Sequence, residues 1–128
     1  MARIYIPHSN EFDFKTLLYT TIRESELGTQ HEIIFPHEKS DLPFNSRDVL
    51  KTVDFVIAEA SYPSTGMGIE LGWADEKKIP IGIIYQNGKK VSSGLRIIAS
   101  AEAEYHDEHD IALALQKVIT ALESSSKK

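Results

Sequence analysis

The chain has 128 residues, no cysteine and a formal net charge of −5, with 41% hydrophobic and 26% charged residues. This length and composition predict one globular domain with its own core. The missing cysteines exclude disulfides, thiolate nucleophiles and cysteine-bound metal centres. The acidic balance argues against nucleic-acid binding, which needs a clustered basic face. No apolar run approaches membrane-spanning length, and we expect a cytoplasmic protein that does not bind membranes.

Strand-like apolar runs alternate with helix-like amphipathic segments along the chain, a pattern typical of a parallel sheet with helices on both faces. Five strands are predicted: Arg3–Ile6, His31–Phe35, Asp54–Glu59, Ile81–Tyr85 and an edge strand between Ile97 and Tyr105. Four helices are predicted: Phe14 to a left-handed cap at Gly28, Asn45 or Ser46 to Thr52, the turn at 61–68 to Lys78, and Ile111–Leu122.

The predicted fold class is therefore α/β: a single doubly wound, five-stranded parallel sheet in a flavodoxin-like or Rossmann-like three-layer sandwich. We expect one domain over residues 1–123 and a disordered tail over 124–128. In such a sheet the ligand site lies at the carboxyl ends of the strands.

The turn after the third strand carries the chemistry. Gly66 and Gly68 flank Met67 at the start of a helix, where open backbone N–H groups and the positive helix end suit a phosphate or another anion. Ser64 adds a hydroxyl. The spacing matches neither the dinucleotide fingerprint nor the P-loop, and a tight helix start without a ligand explains the glycines equally well. Glu70, just inside this helix, is a nucleophile candidate or simply complements the dipole.

The segment from Val56 to Ala74 resembles the signature of the nucleoside 2-deoxyribosyltransferase family, and most closely the branch of 2'-deoxynucleoside 5'-phosphate N-hydrolases. The shared pattern is an aspartate-led strand, Ala-Glu, a Pro-Ser-x-Gly-x-Gly turn, and Glu-Leu-Gly followed by alanine. The resemblance implies cleavage of the N-glycosidic bond of a (deoxy)nucleoside or its 5'-monophosphate. The cleavage would pass through a glycosyl-enzyme intermediate, with water or a second base as the acceptor.

The same resemblance implies roles for individual residues. Glu70 falls on the nucleophile that attacks C1', and Tyr5 falls on a tyrosine near the sugar. Ser64 falls on a serine that binds the 5'-phosphate, in a pocket shaped by Gly66 and Gly68.

One further match to the family lies later in the chain, and the chain departs from the family pattern at two positions. Ser93 falls on a serine that reaches the phosphate site of a neighbouring subunit, which implies a homodimer or a larger homo-oligomer. Eight residues before Asp54 the family has an aspartate where this chain has Ser46, and Asp48 replaces it only if the helix is shifted. His8 stands where glycine is common, as a proton donor to the leaving base or as a group that narrows the pocket for another ligand.

Other polar residues of the chain have both a functional and a simpler explanation. Ser9, in the loop after the first strand, is a further substrate-binding candidate. His37 and Glu38 follow the second strand and suit base recognition or acid/base work, or else a solvated loop. His106 and His109 lie among acids that fit a helix start. The sequence therefore predicts no metal and no cofactor.

The reaction predicted from these residues is hydrolysis rather than base transfer, because the Ser64 and Ser93 matches point to the phosphate-binding branch. Two alternatives stay open. One is a nucleotide sensor that binds without catalysis, for which Ser46 in place of the aspartate is the main support. The other is a glycohydrolase that acts on another ribosyl compound, for which the altered loop at His8 is the distinguishing feature.

Overall fold

A computed structural model of the chain describes residues 1–40 and 44–126. The five strands are β1 (Arg3–Tyr5), β2 (Glu32–Ile34), β3 (Phe55–Glu59), β4 (Ile81–Gln86) and β5 (Ala101–Tyr105). A π-helical segment, Lys15–Thr20, continues directly into α1 (Thr21–Glu24). The remaining helices are α2 (Leu27–Gln30), α3 (Ser46–Leu50), α4 (Thr65–Glu76), α5 (Ser93–Ile98) and α6 (Ile111–Ser126).

All neighbouring strands of the sheet are parallel, and their order is β2-β1-β3-β4-β5. This is a flavodoxin-like order, and it confirms the predicted doubly wound α/β fold. The order reverses between β1 and β3, so the loops that follow these two strands diverge and leave a crevice at the carboxyl edge of the sheet. Among the described residues, no helix has the length and apolar character needed to cross a lipid bilayer.

Two hydrophobic clusters cover the two faces of the sheet. The first joins α6 and the helices after β1 to one face, and it contains Ile4 and Ile57. The second packs α3 and α4 against the other face, and it contains Tyr5 and Val56. Because successive strand residues point to opposite faces, the alternation of Ile4 and Tyr5 follows from the pleat. Tyr5 is thereby directed towards α4, the helix that carries Glu70.

The first helical region departs from the prediction. The residues up to Thr20 form a π-helix, and the hydroxyls of Thr20 and Thr21 donate to carbonyl oxygens five residues earlier, over 2.9 and 3.4 Å. The chain then breaks at Ser25, whose backbone is extended. Gly28 is not a left-handed cap, because it lies inside α2 and does not have a positive φ.

Two further differences concern the second half of the chain. The short helix α5, which precedes β5, was not expected from the sequence. Helix α6 runs to Ser126, three residues into the segment predicted to be a tail, and Lys127 and Lys128 lie outside the described residues. The apolar stripe of α6 is packed on the sheet through Leu115, which is fully buried.

Gly82 lets α6 lie close to strand β4. A Cβ atom at this position would overlap with Cγ1 of Val118 and would lie 3.3 Å from Cδ1 of Leu122. We predict that Gly82→Ala lowers the free energy of unfolding by about 1–3 kcal/mol, the usual cost of overpacking a core. Urea-induced unfolding followed by circular dichroism measures this change.

Gly72→Ala is the matched control, because this exposed position inside α4 has no heavy atom within 4 Å of an added Cβ. The control is expected to gain about 0.5–1 kcal/mol from helix propensity alone. Equal stability of the two variants would show that α6 does not pack on β4 as described.

Candidate functional site

A cavity of about 290 Å³ opens at the carboxyl edge of the sheet, at the crevice between the loops that follow β1 and β3. The loops after β1 and β2 form one wall, and the start of α3 with the first nine residues of α4 forms the other. Its lining residues are His8, Asn10, Pro36, His37, Phe44, Ser46, Ser64, Gly66, Met67, Ile69, Glu70 and Trp73. The structure thus brings together residues that lie up to 65 positions apart in sequence, as for His8 and Trp73.

Glu70 is held from the sheet by a tyrosine. The Tyr5 hydroxyl donates a hydrogen bond of 2.5 Å to Oε2 of Glu70. Burial and the adjacent carboxylate raise the pKa of Tyr5 far above its usual value, so the hydroxyl keeps its proton and remains a donor. Within the described residues, Oε1 of Glu70 makes no hydrogen bond, which leaves one carboxylate oxygen open towards the cavity.

The start of α4 is built around Ser64. Its side chain caps the helix by accepting a hydrogen bond of 3.3 Å from the Met67 amide. The next two amides, of Thr65 and Gly66, have no partner within a helix because they precede its first turn of hydrogen bonds. A Cβ at Gly66 or Gly68 would meet no heavy atom within 4 Å, so the space above both glycines is empty and available to a ligand.

Glu70 lies further along this helix than expected. It is the sixth residue of α4, beyond the first turn, and no acidic residue lies in that first turn. Because the effect of the helix dipole fades within about one turn, the dipole contributes less to this carboxylate than the sequence suggested. The direct hydrogen bond from Tyr5 is the main contact that positions it.

His8 is buried, with 6% of its surface exposed, and both its ring nitrogens are hydrogen-bonded within the protein. Nδ1 lies 2.8 Å from the carbonyl oxygen of Ser9, and Nε2 lies 2.5 Å from the hydroxyl of Tyr19. Burial lowers the pKa of His8 to about 4, although its bond to the Ser9 carbonyl acts in the opposite direction. His8 is therefore neutral at physiological pH, with Nδ1 protonated and Nε2 accepting from Tyr19.

His37 is the second imidazole of the cavity wall, and it differs from His8 in its hydrogen bonds. Its backbone amide donates to the hydroxyl of Tyr19 over 3.1 Å, and its ring packs edge-on against that of His8 at 5.9 Å. Its Nδ1 is buried and has no hydrogen-bond partner in the described part of the chain. Buried polar atoms of this kind usually have a partner, so a ligand in the cavity could supply the one that His37 Nδ1 lacks.

Ser46 and Asp48 lie on different sides of α3. Ser46 is buried and lines the cavity, whereas the side chain of Asp48 is 70% exposed and does not line it. Asp48 instead pairs with Lys51 over 3.6 Å and accepts a hydrogen bond from the Asn45 amide. The cavity wall at this point therefore carries a hydroxyl, and the nearby carboxylate faces a separate depression.

Besides Asp48, four predicted site residues do not line the cavity: Tyr5, Ser9, Gly68 and Ser93. Tyr5 acts on it through Glu70, and Gly68 lines a neighbouring groove. Ser9 is buried, and its hydroxyl accepts a hydrogen bond of 3.1 Å from the Glu11 amide, so it shapes the loop after β1. Ser93 is exposed at the start of α5, beside a groove that reaches the outer side of Ser64. Neither serine contacts the space above Glu70 within this chain.

Two residues important to the site were missed at the sequence level. Phe44 lies parallel to Tyr5, with ring centroids 5.8 Å apart, and it lines the cavity. Glu59, at the end of β3, is buried and accepts hydrogen bonds from the Ser61 amide, the Ser61 hydroxyl and the Tyr105 hydroxyl. Burial raises the pKa of Glu59. Its position after a buried strand was the available signal, whereas nothing near Phe44 in the sequence indicates its partner.

No group of three or more histidine or acidic side chains in residues 1–40 and 44–126 is arranged to hold a metal ion. The polar groups at the cavity are one carboxylate, two imidazole rings, the side-chain amide of Asn10, hydroxyls and backbone amides. Such a set suits acid/base and nucleophilic chemistry on an anionic organic ligand.

Comparison with known proteins gives structural neighbours only. A CMP N-glycosidase from Clostridium botulinum, BcmB, superposes with a TM-score of 0.62 at 22% identity, over 89% of this chain and 98% of that chain. A conserved protein from Enterococcus faecalis V583 superposes with a TM-score of 0.63 at 14% identity, over 91% and 98%. These similarities show the shared fold. No family model and no curated protein matches the sequence.

The pKa values of two histidines are predicted to shift in opposite directions from the ordinary value. His8 should remain neutral until the pH falls to about 4, because burial disfavours its charged form. His106 is exposed and hydrogen-bonded to Asp110, which raises its pKa above the ordinary value of 6.5. Histidine ring resonances followed by NMR from pH 8 to pH 4 measure both.

The ring resonances of the two histidines are assigned with the variants His8→Gln and His106→Gln, because each variant lacks the resonance of the residue it replaces. Because the folded pKa of His8 lies below its unfolded value, its contribution to stability is present above pH 6.5 and is lost as the pH falls towards 4. A His8 ring that titrates near pH 6.5 would contradict the buried, doubly bonded geometry.

Proposed function

We propose that this protein hydrolyses the N-glycosidic bond of a nucleoside 5'-monophosphate, with Glu70 as the nucleophile. The observation that carries the proposal is the position of the Glu70 carboxylate. It lies in the cavity, is held by a hydrogen bond from Tyr5, and is about one helical turn from the open amides at the start of α4. The resemblance of the segment Val56–Ala74 to nucleoside 2-deoxyribosyltransferases supports it. So does the fold shared with a protein described as a CMP N-glycosidase.

The phosphate would lie at the start of α4. The hydroxyl of Ser64 and the backbone amides of Thr65 and Gly66 converge there, and the space above Gly66 and Gly68 is empty. Backbone amides at a helix N-terminus bind phosphate oxygens by hydrogen bonding and by the helix dipole. Glu70 lies about one helical turn further along, which suits the distance from a 5'-phosphate to C1' of the same sugar.

The reaction would proceed in two displacements. In the first, Oε1 of Glu70 forms a bond to C1' as the C1'–N bond breaks, and the base leaves with the bonding electron pair and accepts a proton. In the second, water attacks C1' and gives a proton back to the group that protonated the base, the glycosyl ester breaks, and the carboxylate of Glu70 is restored. The Tyr5 hydroxyl keeps Oε2 engaged, so that the other oxygen points to the sugar.

The base would occupy the other end of the cavity, among Phe44, Ser46 and His37. Phe44 offers a ring face for stacking, and the incomplete hydrogen bonding of His37 suits a group that donates to the departing base. His8 is a poorer donor because its ring nitrogens are engaged with Ser9 and Tyr19. We assign His8 the role of fixing Tyr19 and, through it, the backbone of His37.

Hydrolysis, rather than transfer to a second base, is the form of the reaction we propose. A carboxylate at Ser46 would be the group to manage the proton of an incoming base, and this chain has a hydroxyl there. The exposed position of Ser93 supports a homodimer in which it reaches the phosphate site of a second copy. We place the reaction in the cytoplasm on the basis of the nucleotide substrate.

A second candidate function is a sensor that binds a nucleotide without cleaving it. The specific observation in its favour is that the described cavity lining contains a single carboxylate, that of Glu70, where the family pattern adds an aspartate. The same experiment separates the two functions, because a sensor binds a nucleotide that remains intact.

We predict that purified protein releases free base from at least one nucleoside 5'-monophosphate and that Glu70→Gln lowers kcat by at least about 10³-fold. The amide keeps the size of the side chain but cannot form the glycosyl ester. A panel of ribonucleoside and 2'-deoxyribonucleoside monophosphates, with base release followed by chromatography, measures the activity.

Glu76→Gln is the matched control, since Glu76 is an exposed glutamate near the end of the same helix and does not line the cavity. Its activity should equal that of the unchanged protein. Full base release by the Glu70 variant would overturn the nucleophile assignment, and tight binding with no release by either protein would favour the sensor.

A further inference from the structure

A second groove adjoins the cavity on the far side of Trp73. It lies between α3 and α4, has a volume of about 460 Å³, and is lined by Asn45, Arg47, Asp48, Lys51, Trp73 and Lys77. Trp73 also lines the cavity that contains Glu70, so its indole ring separates the two spaces. The two spaces therefore meet at one side chain.

The groove is positively charged although the whole chain carries a net charge of −5. Three of its lining side chains are cationic and one is acidic, and that acid, Asp48, is engaged by Lys51 at 3.6 Å and by the Asn45 amide at 3.0 Å. Arg47 and Lys77 have no carboxylate within ion-pair distance in the described part of the chain. Counting only residues 1–40 and 44–126, the groove thus keeps two cations that have no acidic partner.

Arg47 differs from the other three arginines of the chain. Arg3, Arg23 and Arg96 each form an ion pair with a glutamate. The guanidinium group of Arg47 instead lies over the ring of Trp73, 4.5 Å from its centroid. Stacking on an aromatic face fixes the plane of the guanidinium while leaving its N–H groups free, and this geometry suits bidentate binding of a carboxylate.

The groove meets the base end of the cavity. Trp73 lies nine residues after Ser64, which places it about 13 Å along α4 from the phosphate end at a rise of 1.5 Å per residue. Glu70, which faces C1' in the proposed reaction, lies between them. The base on C1' and the 5'-phosphate arm on C4' leave the sugar from the two carbons that flank the ring oxygen, so a nucleotide with its phosphate at the start of α4 would extend its base along α4 towards Trp73.

We propose that the preferred substrate is a nucleotide whose base carries a carboxylate, and that Arg47 and Lys77 bind this group in the groove beyond Trp73. The inference rests on the proposed function, since it concerns the leaving base of that reaction. In this proposal Arg47 is a specificity residue, because it contacts the substituent of the base and not the bond that breaks.

Two matched pairs of nucleotides test this preference: 5-carboxycytidine monophosphate against CMP, and AMP with a succinyl group on its exocyclic amine against AMP. The expected result is a kcat/KM at least about 10-fold higher for the carboxylated member of one pair. Arg47→Ala should remove most of that advantage and change kcat/KM for the plain nucleotide less than about twofold. Arg47→Lys keeps the charge but loses the planar guanidinium that stacks on Trp73. Its preference for the carboxylated nucleotide should lie between those of the unchanged protein and Arg47→Ala.

Arg96→Ala is the control, because Arg96 is on α5 and pairs with Glu102 outside both spaces. Calorimetric binding of the same pairs, in the presence and absence of inorganic phosphate, is measured beside turnover, so that the preference is decided even if no nucleotide is cleaved. In that event a tighter binding of the carboxylated member, lost in Arg47→Ala, upholds the groove while the proposed reaction fails. Equal kcat/KM, or equal affinity, for the two members of both pairs overturns the inference. The inference is also overturned if inorganic phosphate saturates the groove and the difference in affinity within the pairs does not change.

Discussion

The hydrogen bond between Tyr5 and Glu70 is the contact on which the arrangement of the site depends. It joins the first strand of the sheet to the helix that follows the third strand. The pleat of β1 directs Tyr5 to the face covered by α4, and burial, together with the nearby carboxylate, keeps its hydroxyl protonated. A carboxylate that extends from the second turn of a helix has several rotamers, and this bond selects one of them. The free oxygen of Glu70 is thereby left facing the cavity.

The opposite wall of the cavity is built from aromatic rings and neutral hydrogen bonds. The Tyr19 hydroxyl donates to His8 and accepts from the backbone amide of His37, so that a single phenol positions both loops that follow β1 and β2. Because His8 is neutral, it adds no charge to this region, where Glu70 carries a carboxylate and α4 presents its positive end.

The five parallel strands, the site edge and the placement of Ser64 and Glu70 at one helix could be predicted from the sequence, because each depends on local patterns or on residues a few positions apart. The contacts that complete the site could not. Phe44 reaches Tyr5 across 39 positions, and the stacking of Arg47 on Trp73 depends on how α3 packs against α4. The π-helical turn before α1 likewise reflects tertiary packing rather than the apolar spacing, which is the same for an ordinary helix.

The central claim is that Glu70 forms a covalent bond to the sugar. In a 2'-fluorinated nucleoside 5'-monophosphate the fluorine slows both displacements, and a good leaving base keeps the first of them fast enough for the glycosyl-enzyme to accumulate. Mass spectrometry of the digested protein should find the sugar phosphate on the peptide that contains Glu70, and should find none after treatment of Glu70→Gln. Release of base by the unchanged protein with no adduct, or with the adduct on another residue, would contradict this account.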